Sequence, residues 1–316
     1  MTFPEPIYFE PLLMEKVWGG SRLQTLFGKH LLPGTRIGES WEVVDREEAQ
    51  SVVHSGNLKG TTLHELWTQQ RVPVFGEAYA AHPSPRFPLL FKLLDAQERL
   101  SIQVHPPAEI AGELGGEPKT EMWYIVDTQL DEALWVGLKE GVTREEFEGR
   151  LHRGTVEEAV QRIPVKAGDA IFIYSGRVHA IGAGNVIVEV QQNSDTTYRV
   201  FDWNRAGLDG KPRELHIDES LKSIDFADTN PKLAVPNGEE LTSCEYFTVE
   251  KWTLDSPRPA FTDGKFAIFT VLTGAVSNMG TVFQPGDFFL VPATVSDATL
   301  WPTQSDTTLL RTTIPA

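Results

Sequence analysis

One short pattern occurs twice in this chain and sets its architecture. Ala167-Gly168-Asp169 leads into the apolar run Ala170-Ile171-Phe172-Ile173-Tyr174 and a turn that ends at His179. Pro285-Gly286-Asp287 leads into Phe288-Phe289-Leu290-Val291-Pro292 and reaches Asp297 at the same spacing. A glycine-aspartate turn followed by a buried strand and a second turn, repeated, implies two β units of one kind. His179 of the first copy aligns with Asp297 of the second. Only the first unit is therefore expected to hold a metal, and the second is expected to be structural.

The stretch Leu100-Ser101-Ile102-Gln103-Val104-His105-Pro106 says what the first unit carries. Side chains two apart on a strand share a face, so Gln103 and His105 project together while Ile102 and Val104 point into a core. Two polar groups on such a face are accounted for by a divalent transition metal, which takes neutral imidazole and carboxylate as ligands. Glu121, heading the strand Met122-Trp123-Tyr124-Ile125-Val126, adds an anionic oxygen, and His179 completes a four-ligand set with room for substrate.

The rest of the chain fits around this core. Ile37-Gly38-Glu39-Ser40-Trp41-Glu42-Val43-Val44 reads as a strand with Trp41 and Val43 on one side, and Trp18 fills the core or lines a pocket. Thr61 to Trp67 has helical spacing with a threonine cap. Leu89 to Asp95 is an apolar strand interrupted by Lys92, which either snorkels from an edge or faces a polar cavity. From Val142 to Arg162 the pattern turns helical and charged, capped at Thr143 and Thr155, and marks a helical insertion at about 140–163. His64, His152 and His216 are read as surface or structural. Pro231, Pro236, Asn237 and Gly238 form a linker, giving a catalytic domain over 1–235 and a metal-free β domain over 240–316.

Composition excludes several function classes. With 28 basic and 44 acidic residues the formal charge is −16, so nucleic acid is not an expected partner. An anionic substrate needs a local cationic pocket, which directs attention to Lys92, Lys119 and Arg199. Cys244 is the sole cysteine, so neither a disulfide framework nor a CxxC site is available. No apolar run is long enough for a membrane helix and no signal peptide is visible, so a cytoplasmic protein is expected.

Phe91-Lys92-Leu93-Leu94, the 100–106 stretch, Lys119-Thr120-Glu121, Val178-His179-Ala180 and Ser194-Asp195-Thr196-Thr197-Tyr198-Arg199 together resemble the cupin superfamily. Within it, the chain is similar to the type I mannose-6-phosphate isomerases of the shorter bacterial form. The resemblance implies a mainly β fold of jelly-roll (double-stranded β-helix) barrels, two related units with a small helical insertion. It implies zinc on Gln103, His105, Glu121 and His179, with other divalent metals compatible. It places Lys92, Ser101, Lys119, Asp195 and Arg199 in the substrate or catalytic site. Two departures stand out: Pro118 occupies the place of a histidine in longer members, and Ile181 that of a tyrosine.

The implied reaction interconverts mannose 6-phosphate and fructose 6-phosphate through an enediol. It requires a base, stabilisation of a developing enediolate and a grip on the phosphate. Lys119 is the first candidate base, with Asp195 and metal-bound water as rivals. Arg199, Lys92 and Ser101 are the available phosphate-binding set. The partner is then a phosphorylated hexose, and the protein a monomer or homodimer. A non-catalytic, regulatory sugar-phosphate-binding cupin is the alternative. An iron dioxygenase fits less well, since only His105 and His179 are suitably placed.

Overall fold

The structure is a computed structural model that describes residues 5–129, 132–260, 264–295 and 297–315. Met1 to Pro4, the start of the N-terminal stretch in which no signal peptide is expected, lie outside these residues. Four antiparallel sheets form two face-to-face pairs. In the first unit, one sheet has the order β1 (Leu12–Gly20), β2 (Ile37–Val43), β3 (Leu89–Ala96), β10 (Asn185–Gln192), β5 (Glu121–Asp127), β8 (Ala170–Ile173). Its companion is β11 (Tyr198–Phe201), β4 (Ile102–Val104), β9 (His179–Ile181), β6 (Ala133–Leu138), β7 (Val160–Pro164).

The second unit repeats the plan. Its larger sheet runs β12 (Glu240–Ser243), β13 (Thr248–Leu254), β20 (Thr307–Thr313), β15 (Ala267–Thr273), β18 (Phe288–Val291). The smaller runs β14 (Arg258–Pro259), β19 (Thr299–Pro302), β16 (Val276–Asn278), β17 (Thr281–Phe283). The repeated sequence pattern makes the same hydrogen bonds in both. Ile125 N donates to Asp169 O (2.8 Å) as Val271 N does to Asp287 O (3.0 Å), and Gly168 N bonds Ile125 O as Gly286 N bonds Val271 O. Both glycines have positive φ, +94° and +85°. The correspondence carries across the sheet: Glu189 on β10 pairs with Lys92 and Trp123, and Arg311 on β20 pairs with Glu250 and Phe269.

Strands in mid-sheet are apolar on both faces because both are covered. All eight residues of β3 are buried, and it lies between β2 and β10, so Lys92 is not at an edge. Trp18, Leu100, Trp123, Ile171, Ile181 and Ile187 pack together inside the first unit. Trp252, Phe269, Phe283 and Phe289 do so in the second. A larger cluster joins the units, bringing Phe75, Phe87 and Val188 against Phe266, Phe288 and Leu290. Each such aromatic contributes about 1.5–3 kcal/mol by burial. Ile7 also pairs with Leu290, so the N-terminal segment adds to the second unit's sheet.

Helices are short and peripheral: α1 (Arg22–Phe27), α2 (Leu63–Gln69), α3 (Arg71–Phe75), α4 (Ala108–Ala111), α5 (Arg144–Arg153) and α6 (Ile217–Ser223). Thr62 and Glu65 close a capping box on α2, as the threonine signal suggests. Three expectations are corrected. The helical reading to Arg162 stops short, because Gly154 ends α5 in a left-handed conformation and Val160–Pro164 pairs with β6 as a strand. Thr143 caps α5, but the Thr155 side chain makes no cap bond. Trp41 and Val43 do not share a side: a register shift between them sends Val43 to the inter-unit cluster and Trp41 to a separate one with Val44 and Leu90.

Candidate metal and substrate site

The site lies between the two sheets of the first unit and is built from two facing cross-strand rows. On the smaller sheet, Arg199 of β11 pairs with Gln103 of β4, which pairs with His179 of β9. On the larger, Lys92 of β3 pairs with Glu189 of β10, which pairs with Trp123 of β5. Glu121 opens β5 and His105 follows β4 directly, so each reaches the gap between the rows.

His105, Glu121 and His179 converge, all buried, with one ligand atom of each within 4.8 Å of the others. His105 Nδ1 donates to Thr196 O and His179 Nδ1 to Arg177 O, both at 2.8 Å. Those bonds turn each Nε2 lone pair toward Glu121 Oε1, at 3.7 and 3.5 Å. His105 Nε2 and Glu121 Oε1 have no hydrogen-bond partner although buried. Such groups are costly unless a ligand meets them, so the donor set fits a divalent cation. Burial, and then the charge of Lys119, holds His105 well below the usual histidine range; burial and His105 take His179 down to about 3. Both imidazoles are therefore neutral, the ligating form. Burial opposes ionisation of Glu121, but the charge of Lys119, which also hydrogen-bonds the carboxylate, outweighs it and keeps its carboxyl low. Gln103 stands beside the group with its Nε2, 3.2 Å from His179 Nε2, while Oε1 accepts from Ser101 Oγ at 3.3 Å.

Above this cluster is a cavity of about 210 Å³. It is lined by Ser101, Gln103, Lys119, Asp195 and Arg199, and also by Lys92. Lys119 Nζ is 3.1 Å from Glu121 Oε2. Lys92 faces the cavity, the second of its two sequence readings, with Nζ 3.5 Å from Glu39 Oε2 and 3.6 Å from Glu189 Oε2. Burial works against its charge, but these carboxylates raise its pKa overall. Arg199 donates through Nη1 to Glu214 O (2.9 Å), and its buried Nε has no partner. Asp195 is the exposed member of the set, at the mouth.

Several wall residues escaped the sequence reading. Glu39 accepts from Trp41 Nε1 (2.7 Å) and pairs with Lys16 (3.3 Å). Glu189 accepts from Trp123 Nε1 (2.9 Å), and burial followed by Glu121 raises its pKa. Arg213 lies beside Arg199, held by Asp202, and His216 Nδ1 accepts from Arg199 N (3.2 Å). A signal for Glu189 was present: one acid in the apolar run Val-Ile-Val-Glu-Val, the same anomaly that Lys92 makes in β3. Trp18, buried at 3% exposure, both packs in the core and lines the cavity.

Residues 8–130 match the catalytic domain of phosphomannose isomerase type I, and residues 238–305 the cupin domain of mannose-6-phosphate isomerase. The chain is 39% identical over 304 residues to mannose-6-phosphate isomerase ManA of Bacillus subtilis (strain 168), covering 91% of this chain and 93% of that protein. It is 35% identical over 302 residues to the mannose-6-phosphate isomerase of Streptococcus mutans serotype c, covering 92% and 93%. The crystal structure of the Bacillus subtilis mannose 6-phosphate isomerase superposes with a TM-score of 0.86 at 33% identity, covering 98% of this chain and 99% of that one. The expected mainly β cupin architecture thus stands, and this chain belongs to the type I phosphomannose isomerase family.

Proposed function

We propose that this chain is a metal-dependent aldose-ketose isomerase that interconverts mannose 6-phosphate and fructose 6-phosphate by moving a proton between C2 and C1 through an enediol. The observation that carries the reading is the buried His105–Glu121–His179 cluster, two neutral imidazoles and a carboxylate with unpaired lone pairs, beneath a cavity edged by Arg199 and Arg213.

His105, Glu121 and His179 hold the metal, and Gln103 joins them if its amide presents oxygen, an orientation that the surrounding hydrogen bonds decide. Zinc suits two imidazoles with oxygen donors, and when bound it supplies Lewis-acid polarisation of the sugar oxygens. Lys119 reaches the cavity from the metal side and is the first choice to carry the proton, with Asp195 as the second. Arg199 and Arg213 grip the phosphate, since two guanidiniums match its oxygens. Ser101 and Lys92 contact the sugar from the wall, and Lys92 also keeps Glu39 and Glu189 apart. The non-catalytic reading loses ground because Lys119, Asp195 and Arg199 all border one cavity. The enzyme is expected in the cytoplasm, as a monomer or homodimer. Among the described residues no helix is long and apolar enough to cross a membrane.

The test is a coupled assay for fructose 6-phosphate on protein stripped of metal and reloaded with zinc. Turnover should return with zinc and fail in His105→Ala, which should also lose bound metal. A metal-loaded protein without turnover on mannose 6-phosphate would overturn the isomerase reading.

A further inference from the structure

The second unit has a cavity of its own, of about 680 Å³, lined by Trp252, Arg258, Lys265, Arg311 and Thr313 among others. It is related to the first unit's site by register. Arg311 pairs with Glu250 and Phe269 where Glu189 pairs with Lys92 and Trp123. The basic and acidic partners have exchanged strands, so a cation now stands where the active cavity has Glu189. In a chain of net charge −16, no carboxylate lines this cavity among the described residues.

Its donors exceed its acceptors. The Arg258 guanidinium lies 3.4 Å from the Trp252 ring centroid, and that of Arg311 lies 5.2 Å away. Arg258 pairs with Glu239 through both Nη atoms, leaving Nε free. Arg311 bonds Ala260 O through Nε and Glu250 through Nη1, leaving Nη2. Lys265 makes no ion pair among the described residues. Trp252 is only 4% exposed, yet its indole Nε1 has no hydrogen-bond partner. A buried donor left unpaired beside unspent cationic donors calls for an acceptor-rich guest.

We propose that this cavity is a second binding site, distinct from the isomerase centre, for a small anion bearing carboxylate or phosphate oxygens. Lys265 and Arg311 neutralise the anion, Arg258, stacked on the Trp252 ring, orients it, and the glutamates behind the arginines hold them in place. Such a ligand would act on the second unit, to which no part of the isomerase chemistry is assigned.

Titration of full-length, zinc-loaded protein with inorganic phosphate and, separately, with citrate tests this. The Trp252 indole resonance in a ¹H–¹⁵N spectrum, assigned by its loss in Trp252→Phe, is the readout. A saturable shift with either anion is expected, weakened about tenfold in Lys265→Gln, the loss of one charge-assisted contact. The anion that binds more tightly tells a phosphate ligand from a carboxylate one. Isomerase kcat/KM in Lys265→Gln should be unchanged, which separates this site from the active cavity. No saturable shift with either anion, or titrations identical in wild type, Lys265→Gln and Arg258→Gln, would overturn the proposal.

Discussion

Gln103 and His179, 76 positions apart in the sequence, are register partners on adjacent antiparallel strands, and their Nε2 atoms lie 3.2 Å apart. Arg199 on the next strand extends the same row. Two of the candidate metal ligands, Gln103 and His179, and the candidate phosphate-binding arginine are therefore carried on one rigid ladder, so the distance between the two ends of the substrate site is set by strand spacing. Rigid elements hold reacting groups more accurately than loops do.

Lys119 offers the sharpest test of the chemistry. Replacing it with Met should lower kcat by about 10²–10⁴-fold, the range for loss of a general acid-base group. Metal content by elemental analysis should stay at the wild-type value, because the three converging ligands are untouched. Lys119→Arg should not restore turnover, since a guanidinium does not give up its proton. Retained turnover in Lys119→Met would move the proton transfer to Asp195.

Stability of the metal-free protein should depend on pH through its two buried histidines. His179 titrates at about 3 in the folded chain and His105 well below its ordinary 6.5, whereas both return to about that value on unfolding. Between these limits the unfolded chain binds more protons, so stability rises with pH and is lost as pH falls from about 6.5 toward 3. The unfolding free energy of chelator-treated protein in urea should drop between pH 7.5 and 5, by about 2 kcal/mol from His179, with His105 adding in the same direction. In His105→Asn/His179→Asn the drop should shrink; an equal drop would place the sensitivity elsewhere.

Lys92 should prove structural as well as substrate-facing. It is 3% exposed, stands between Glu39 and Glu189, and lies 4.9 Å from the Trp41 ring centroid. Lys92→Met leaves the buried Glu189 without its ion-pair partner and Glu39 with Lys16 alone, and should cost about 3–5 kcal/mol in denaturant unfolding. Adding Glu189→Gln should recover part of the loss, because the stranded charge is removed with it. A single variant as stable as wild type would show that the cation carries no such burden.

The repeated glycine-aspartate turn allows a paired experiment. An added Cβ at Gly168 meets nothing closer than Tyr124 Oη at 4.0 Å, whereas at Gly286 it would lie 2.5 Å from Phe27 Cβ. Gly168→Ala should cost only the positive-φ penalty, about 1–2 kcal/mol. Gly286→Ala should add about 1–3 kcal/mol of overpacking against α1. Equal thermal shifts in the two variants would contradict the close approach of Phe27.

The sequence was informative where chemistry is local. Alternation over Leu100 to Pro106 places Gln103 and His105 in order, and the twin turns at Gly168 and Gly286 were recognisable because each needs a glycine and an aspartate at fixed spacing. The Val160–Pro164 strand is hidden in the sequence because charged residues continue past α5; its pairing with Ala133–Leu138 is nonlocal and leaves no periodicity of its own. The break between Trp41 and Val43 was hidden for a similar reason, since a bulge is decided by the partner strand.

By itself, then, the sequence determined two β units, the donor types of one candidate metal site and the basic groups of its candidate substrate pocket. Only the tertiary structure decided which of those groups meet. Lys92 became the cation between two buried carboxylates because β2 and β10 enclose its strand, Glu39 and Glu189 entered the cavity wall through pairings between distant strands, and Arg213 was set beside Arg199 by its ion pair with Asp202. The physical reason is that strand register is set by hydrogen bonding and burial between distant segments, and side-chain identity alone does not encode who stands opposite whom.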